Sequence, residues 1–340
     1  MKNSLPLYIT LAVILLLLCA IFSLMLGVYD FSDNSIWKVL TGSDSVSSSE
    51  SYVLYKIRLP RIVMAILIGS ALAVSGTCIQ GMFKNPLATP SLIGVTSGAS
   101  LFAALSIVLG SSIRPYLPEV IQYSLISIMA FLGAILTMIF VYRVSTSQKK
   151  TNVMIMLLAG VAISALAGAI TGFLTYLTND EQLRDLTFWT LGSLGGATWI
   201  KNAILAAVIM VCYFFLINKG KSLNALMLGE QDAAHLGVPV ERIKKQIIIL
   251  TALLVGTSVS FAGAIGFVGL IVPYILRLIF KSNYHIILPL SAVVGSILLL
   301  SADTISRTIV APSEMPIGVL TAFLGAPIFM AILIRFKKMI

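Results

Sequence analysis

Lys219-Gly-Lys-Ser-Leu-Asn-Ala-Leu-Met-Leu-Gly-Glu-Gln-Asp-Ala-Ala-His-Leu-Gly-Val-Pro-Val-Glu-Arg-Ile-Lys-Lys-Gln246 is the longest polar interruption between two long apolar runs in the second half of the chain. Its ends are basic, with Lys219 and Lys221 before the centre and Arg242, Lys244 and Lys245 after it. Between them Leu226, Glu230, Ala233, Ala234 and Gly237 recur at helical spacing, Gly229 and Gly237 offer breaks, and Pro239 stands beyond the end. The pattern predicts a short amphipathic helix, too polar to cross a bilayer. Such a helix either carries the lysines that fix topology or presents a face to a partner.

Outward from this loop the chain is apolar. Hydrophobic residues make up 58% of the 340 positions and charged ones 11%, a balance that belongs to membrane proteins. Ten spans are expected: Leu5–Val28, Arg61–Met82, Ser91–Gly110, Glu119–Tyr142, Val153–Leu177, Trp199–Ile217, Ile247–Ile265, Gly266–Phe280, Ile286–Ser306 and Ile317–Phe336. The fold class is therefore an all-α integral membrane protein, one transmembrane domain over residues 1–340, with the polar loop at about 219–246. The first run lacks a small-x-small cleavage site and reads as a retained span. An even count puts both termini on one side. With the termini in the cytoplasm, fifteen of the 23 lysines and arginines face inward, while ten of the thirteen acids face outward. The net charge of +10 is explained this way and not by nucleic acid, since the basic residues sit at the ends of apolar segments and form no stripe with aromatics.

Two spans are broken by small residues and prolines. Ser91–Gly110 follows Pro86 and Pro90 and holds Gly94 and Gly98; Gly266–Phe280 holds Gly269 and Pro273. Their matching places in the two halves point to an inverted repeat around a pathway.

Reactive chemistry is sparse. His235 and His285 have no Cys, Asp or Glu at ligand spacing, and Cys19, Cys78 and Cys212 lie singly in apolar runs. Gly220-Lys221-Ser222 resembles the tail of a phosphate-binding loop, but Phe215 stands where that loop needs glycine. The chain is not expected to be an enzyme or to hold a cofactor or metal. An ion-coupled carrier, the alternative of a different class, needs an ionisable group within its spans. Asp303 is the best candidate, and Arg307 one turn on makes a local ion pair the simpler reading.

Arg58-Leu-Pro-Arg61 and Gln80-Gly-Met-Phe-Lys-Asn-Pro-Leu-Ala-Thr-Pro-Ser-Leu-Ile-Gly-Val-Thr-Ser-Gly-Ala99 resemble the permease family of ABC importers for ferric siderophores, haem and cobalamin. So do Leu228–Gly237, Gly266–Arg277 and Pro316–Pro327, in order along the chain. The resemblance implies a ten-span homodimer in the bacterial cytoplasmic (inner) membrane, two ATP-binding cassette subunits that bind ATP and Mg inside, and a substrate-binding protein outside. It implies that Leu223–Gly237 is the coupling surface for the ATPase, through Leu226, Leu228, Gly229, Glu230, Asp232, Ala233, Ala234, Leu236 and Gly237. Glu230 and Asp232 would meet basic groups of that partner. Arg58, Arg61 and Arg307 match positions that offer guanidinium forks to acidic residues of the binding protein. The family's path runs along the fifth and tenth spans. In the fifth, Ala159, Gly160, Ser164, Gly168, Thr171, Gly172 and Thr175 make a face of small residues that serves either as path wall or as close helix packing; Tyr176 and Trp189 stand near its outer end.

Trp189-Thr-Leu-Gly-Ser-Leu-Gly-Gly-Ala-Thr-Trp199 resembles the haem branch more than the siderophore branch, with Gly192, Gly195 and Gly196 suggesting a bend at the outer mouth. Haem is the expected cargo, a ferric siderophore the alternative, and cobalamin third.

Overall fold

A backbone surrounded by lipid must satisfy its hydrogen bonds within the segment, so the apolar runs of this chain become helices. The computed structural model describes residues 5–27, 29, 48–110 and 114–337. Most of the segment between the first two spans, residues 30–47, lies outside the described residues, as do Lys2 and Lys338. In order the elements are α1 (Leu5–Met25), α2 (Ser48–Phe83), α3 (Val95–Val108), α4 (Glu119–Ser145), a hairpin of β1 (Thr146–Ser147) and β2 (Lys150–Thr151), α5 (Val153–Tyr176), α6 (Asp180–Leu191), α7 (Trp199–Leu216), α8 (Gly220–Leu228), α9 (Glu230–His235), α10 (Val240–Ala262), α11 (Val268–Phe280), α12 (Tyr284–Ser306) and α13 (Ile317–Lys337).

Eight of these helices are long and apolar enough to cross a membrane, and α3 and α11 are the shorter apolar ones. Together they account for the ten expected spans. Each short helix is third in its half, and each is entered through a left-handed residue, Gly94 (φ +82°) before α3 and Phe267 (φ +65°) before α11. That shared break shortens both: Pro90–Ile93 forms a 3-10 turn ahead of α3, and residues 263–266 are non-helical ahead of α11. The halves interlock crosswise, with α11 packed on α2, and α3 and α4 packed on α10.

The core lies between α2 and its neighbours; 83% of the apolar window of α2 is buried, against 6% for α1. Glycines allow the helices to touch backbone to backbone. A Cβ on Gly76 would lie 1.8 Å from the Gly269 carbonyl oxygen in α11, and one on Gly69 would lie 2.3 Å from the Gly295 oxygen in α12. Gln80, fully buried one turn further along α2, donates through Nε2 to the Leu270 carbonyl (3.3 Å) and accepts from Arg277 Nη2 (2.6 Å).

Two expectations need correction. The helix that carries the second span begins at Ser48 and not near Arg61, because a wider-wound turn at Val53–Arg58 continues into Leu59 without interruption. The polar loop forms two helices in place of one, α8 and α9, since Gly229 takes φ +148° at their junction. The hairpin and α6 are elements that hydropathy alone did not indicate.

Candidate functional site

The α8–α9 loop is anchored on its first half and open on its second. In α8, Leu223, Ala225 and Leu226 are buried, and the Asn224 side chain accepts from the Tyr284 backbone N–H (2.8 Å) while donating to Asn283 Oδ1 (3.3 Å). These bonds fix α8 to the start of α12. On α9 and its flanks, Leu228 (67% exposed), Asp232, Ala234, Leu236 (64% exposed) and Gly237 face outward. Two exposed leucines beside an acidic residue on a helix held from below have the character of a docking face.

Leu226 and Ala233, expected on that face, point into the core instead, at 2% and 0% exposure. Glu230 is half-exposed but already engaged: it accepts from Lys244 Nζ at 2.9 Å. Lys244, counted in the sequence among the topology-fixing lysines, is buried at 1% exposure. Its ammonium also reaches Glu241 Oε1 (2.7 Å) and donates to the Thr151 carbonyl (2.8 Å), while the Thr151 N–H donates to Glu241 Oε2 (2.9 Å). The spacing of Glu241 and Lys244 at i and i+3 was a legible signal of that pair. The link to the hairpin was not.

At the opposite end of the bundle stand the three arginines expected to meet a binding protein. The structure does not present them. Arg58, Arg61 and Arg307 are 4%, 7% and 5% exposed. Arg58 donates to the carbonyls of Leu24, Met25 and Tyr29, and Arg307 to those of Ser23 and Leu26 and to Ser23 Oγ. The two cations thus close the C-terminal end of α1, where unpaired carbonyls and the helix dipole favour positive charge. Arg61 bridges the fully buried Asp303 (Nη2 to Oδ1 2.9 Å; Nε to Oδ1 2.9 Å) and Glu314 in the loop before α13 (Nη1 to Oε1 2.7 Å). The expected local pair of Asp303 with Arg307 is secondary at 3.8 Å. Burial pulls the Arg307 guanidinium below its ordinary pKa, against the opposing attraction of Asp303.

The small-residue face of α5 divides in two. Gly160 is buried, with room for no Cβ because the Leu92 carbonyl would be 2.0 Å away, and Ser164 bonds Ser97 Oγ at 2.9 Å. A Cβ on Gly168 or on Gly172 would meet nothing within 4 Å. Thr171 lies between them and Thr175 one turn further on, its hydroxyl donating back to the Thr171 carbonyl (2.8 Å), and Tyr176 is 85% exposed at the helix end. Trp189 does not join this face: with Asp185, Phe188, Phe261, Ile107 and Ile126 it lines a cavity of about 380 Å³ whose walls include no residue of α5. Gly192 ends α6 at φ +75°, which makes the bend expected there.

The sequence profile of the FecCD transport family matches residues 15–335. The chain is 39% identical over 325 residues to the hemin transport system permease protein HmuU of Yersinia pestis, covering 96% of this chain and 94% of that one. It is also 39% identical over 296 residues to the vitamin B12 import system permease protein BtuC of Vibrio vulnificus, covering 87% of each. Among solved structures, an inward-facing conformation of a metal-chelate type ABC transporter superposes with a TM-score of 0.84 at 30% identity, covering 97% of this chain and 99% of that one.

Proposed function

Since this chain belongs to the FecCD transport family of ABC importer permeases, we propose that its cargo is haem. The observation that carries this reading is the extent of the likeness to the hemin permease, which runs through nearly the whole chain, whereas the cobalamin permease matches a shorter stretch at equal identity. The aromatic lining of the cavity around Phe188, Trp189 and Phe261 suits a flat, largely apolar ligand near the mouth.

In this reading two copies of the chain enclose the path, with Gly168, Thr171, Gly172, Thr175 and Tyr176 of α5 on its wall. Both termini and the α8–α9 loop are cytoplasmic. An ATP-binding cassette subunit docks on each loop through Leu228, Asp232, Ala234, Leu236 and Gly237, and ATP and Mg belong to that partner. A binding protein delivers cargo at the opposite end. There Arg58, Arg61 and Arg307 act by holding the end of α1 and the Glu314 loop in place, not by touching the visitor. Asp303, locked between two guanidiniums, is not available to take up a driving ion.

The test is reconstitution in liposomes with the ATPase and a binding protein loaded with haem, ferric siderophore or cobalamin. Haem alone is expected to stimulate ATP hydrolysis and to accumulate inside. A response confined to siderophore or to cobalamin would keep the importer and replace the cargo.

A further inference from the structure

We propose that Lys244 is a positioning residue that passes the movement of α9 to α5, so that the half of the loop gripped by the ATPase drives a helix of the path. The inference rests on the reading of α9 as ATPase-facing and adds a route through this chain.

A lysine whose only duty is topology stays in water, because a buried ammonium is costly unless every donor is paired. Lys244 is 1% exposed and has a partner for each of its three N–H groups: Glu230 of α9, Glu241 of α10 and the carbonyl of Thr151. Glu241 in turn holds the Thr151 N–H, so both backbone groups of Thr151 are clasped. The next residue, Asn152, caps α5 by accepting from the N–H groups of Met154 and Ile155. From α9 to the first turn of α5 the contacts are therefore continuous. Moving α9 away from Thr151 would leave a buried cation short of a ligand.

The two halves of the loop are tied to different parts of the molecule. Asn224 fastens α8 to α12, which is braced against α2 by the backbone contact of Gly69 and Gly295. Lys244 fastens α9 to α5, only 17% of whose apolar window is buried. Gly229, at φ +148°, lies between them and is the joint about which α9 turns relative to α8, with Ala233 as the residue that seats α9 on the same core as Leu226.

The experiment uses the full complex in liposomes and reads the amount of cargo moved per ATP hydrolysed. Lys244→Met keeps the volume of the side chain and removes the charge; it is expected to retain the ATPase and to lower the ratio at least about five-fold. Lys244→Arg, which still reaches both carboxylates, is expected to restore most of it, a rescue that loss of packing would not give. An unchanged ratio in Lys244→Met with the ATPase bound overturns the inference. If that variant does not fold, Glu230→Ala decides in its place, since it removes the α9 end of the tie while Lys244 keeps Glu241 and the Thr151 carbonyl: a lowered ratio supports the route and an unchanged one overturns it. Failure of the unaltered chain to retain an ATPase would instead overturn the docking reading, and the inference with it.

Discussion

Asp303→Leu is expected to destabilise the folded chain by about 3–5 kcal/mol, the usual cost of leaving a buried charge without its partner. The carboxylate is fully buried, takes bonds from Arg61 at 2.9 Å and 3.1 Å, and stands 3.8 Å from Arg307. Without it two nearly buried guanidiniums face each other with only Glu314 to offset them. Asp303→Asn preserves the shape and one acceptor and is expected to fall between. In the double variant Asp303→Leu with Arg61→Leu, the orphaned cation is removed as well, and stability is expected to recover in part, because the cost in the single variant lies mainly in what is left behind. Thermal unfolding of detergent-solubilised protein reads all three. A single variant as stable as the parent would mean that water reaches the site freely.

Gly76→Ala is expected to be at least as damaging, by about 3 kcal/mol or more. The added carbon would sit 1.8 Å from the Gly269 carbonyl oxygen, 2.5 Å from its carbon and 2.6 Å from its Cα, all backbone atoms that no rotamer change can withdraw. Helices α2 and α11 must part, and Gln80, which bonds across the same seam, loses its carbonyl partners. Gly168→Ala is the matched control: the same methyl group meets nothing within 4 Å inside the chain, and since alanine is the better helix former the melting temperature is expected not to fall. If Gly76→Ala matched that control, the seam would be looser than its geometry.

The spans were legible because lipid leaves so few choices: a run of apolar residues long enough to cross has to be helical, and glycine with proline marks where it breaks. Thus α3 and α11 could be identified as the odd members of each half from Gly94 and Pro273 before their left-handed entries were seen. The loop was legible as a polar element that does not cross the bilayer, but one helix was expected where Gly229, noted only as a possible break, divides it into two. What could not be read was which charge meets which. Arg61 finds Asp303 and Glu314 more than two hundred positions away, and Lys244 finds Thr151 across a hairpin too short to leave a hydropathy signal. An arginine at the end of a span has the same local sequence whether it greets a visitor or closes a neighbouring helix. Only the packing of α1 against α12 separates the two roles, and it assigns Arg58 and Arg307 to the second.

The open glycines of α5 bear on how such a transporter can change its cargo. Gly160, on the same helix, is fixed by the Leu92 carbonyl, whereas Gly168 and Gly172 carry no packing duty within the chain. On the proposed path the aperture is thus set by positions that the scaffold does not need. Its gauge can be altered by one carbon at each position, from glycine to alanine, without a clash inside the chain. A lineage could in this way resize its sieve for smaller or larger chelates by point substitution alone, while the seam at Gly76 and the clasp at Asp303 stay as they are.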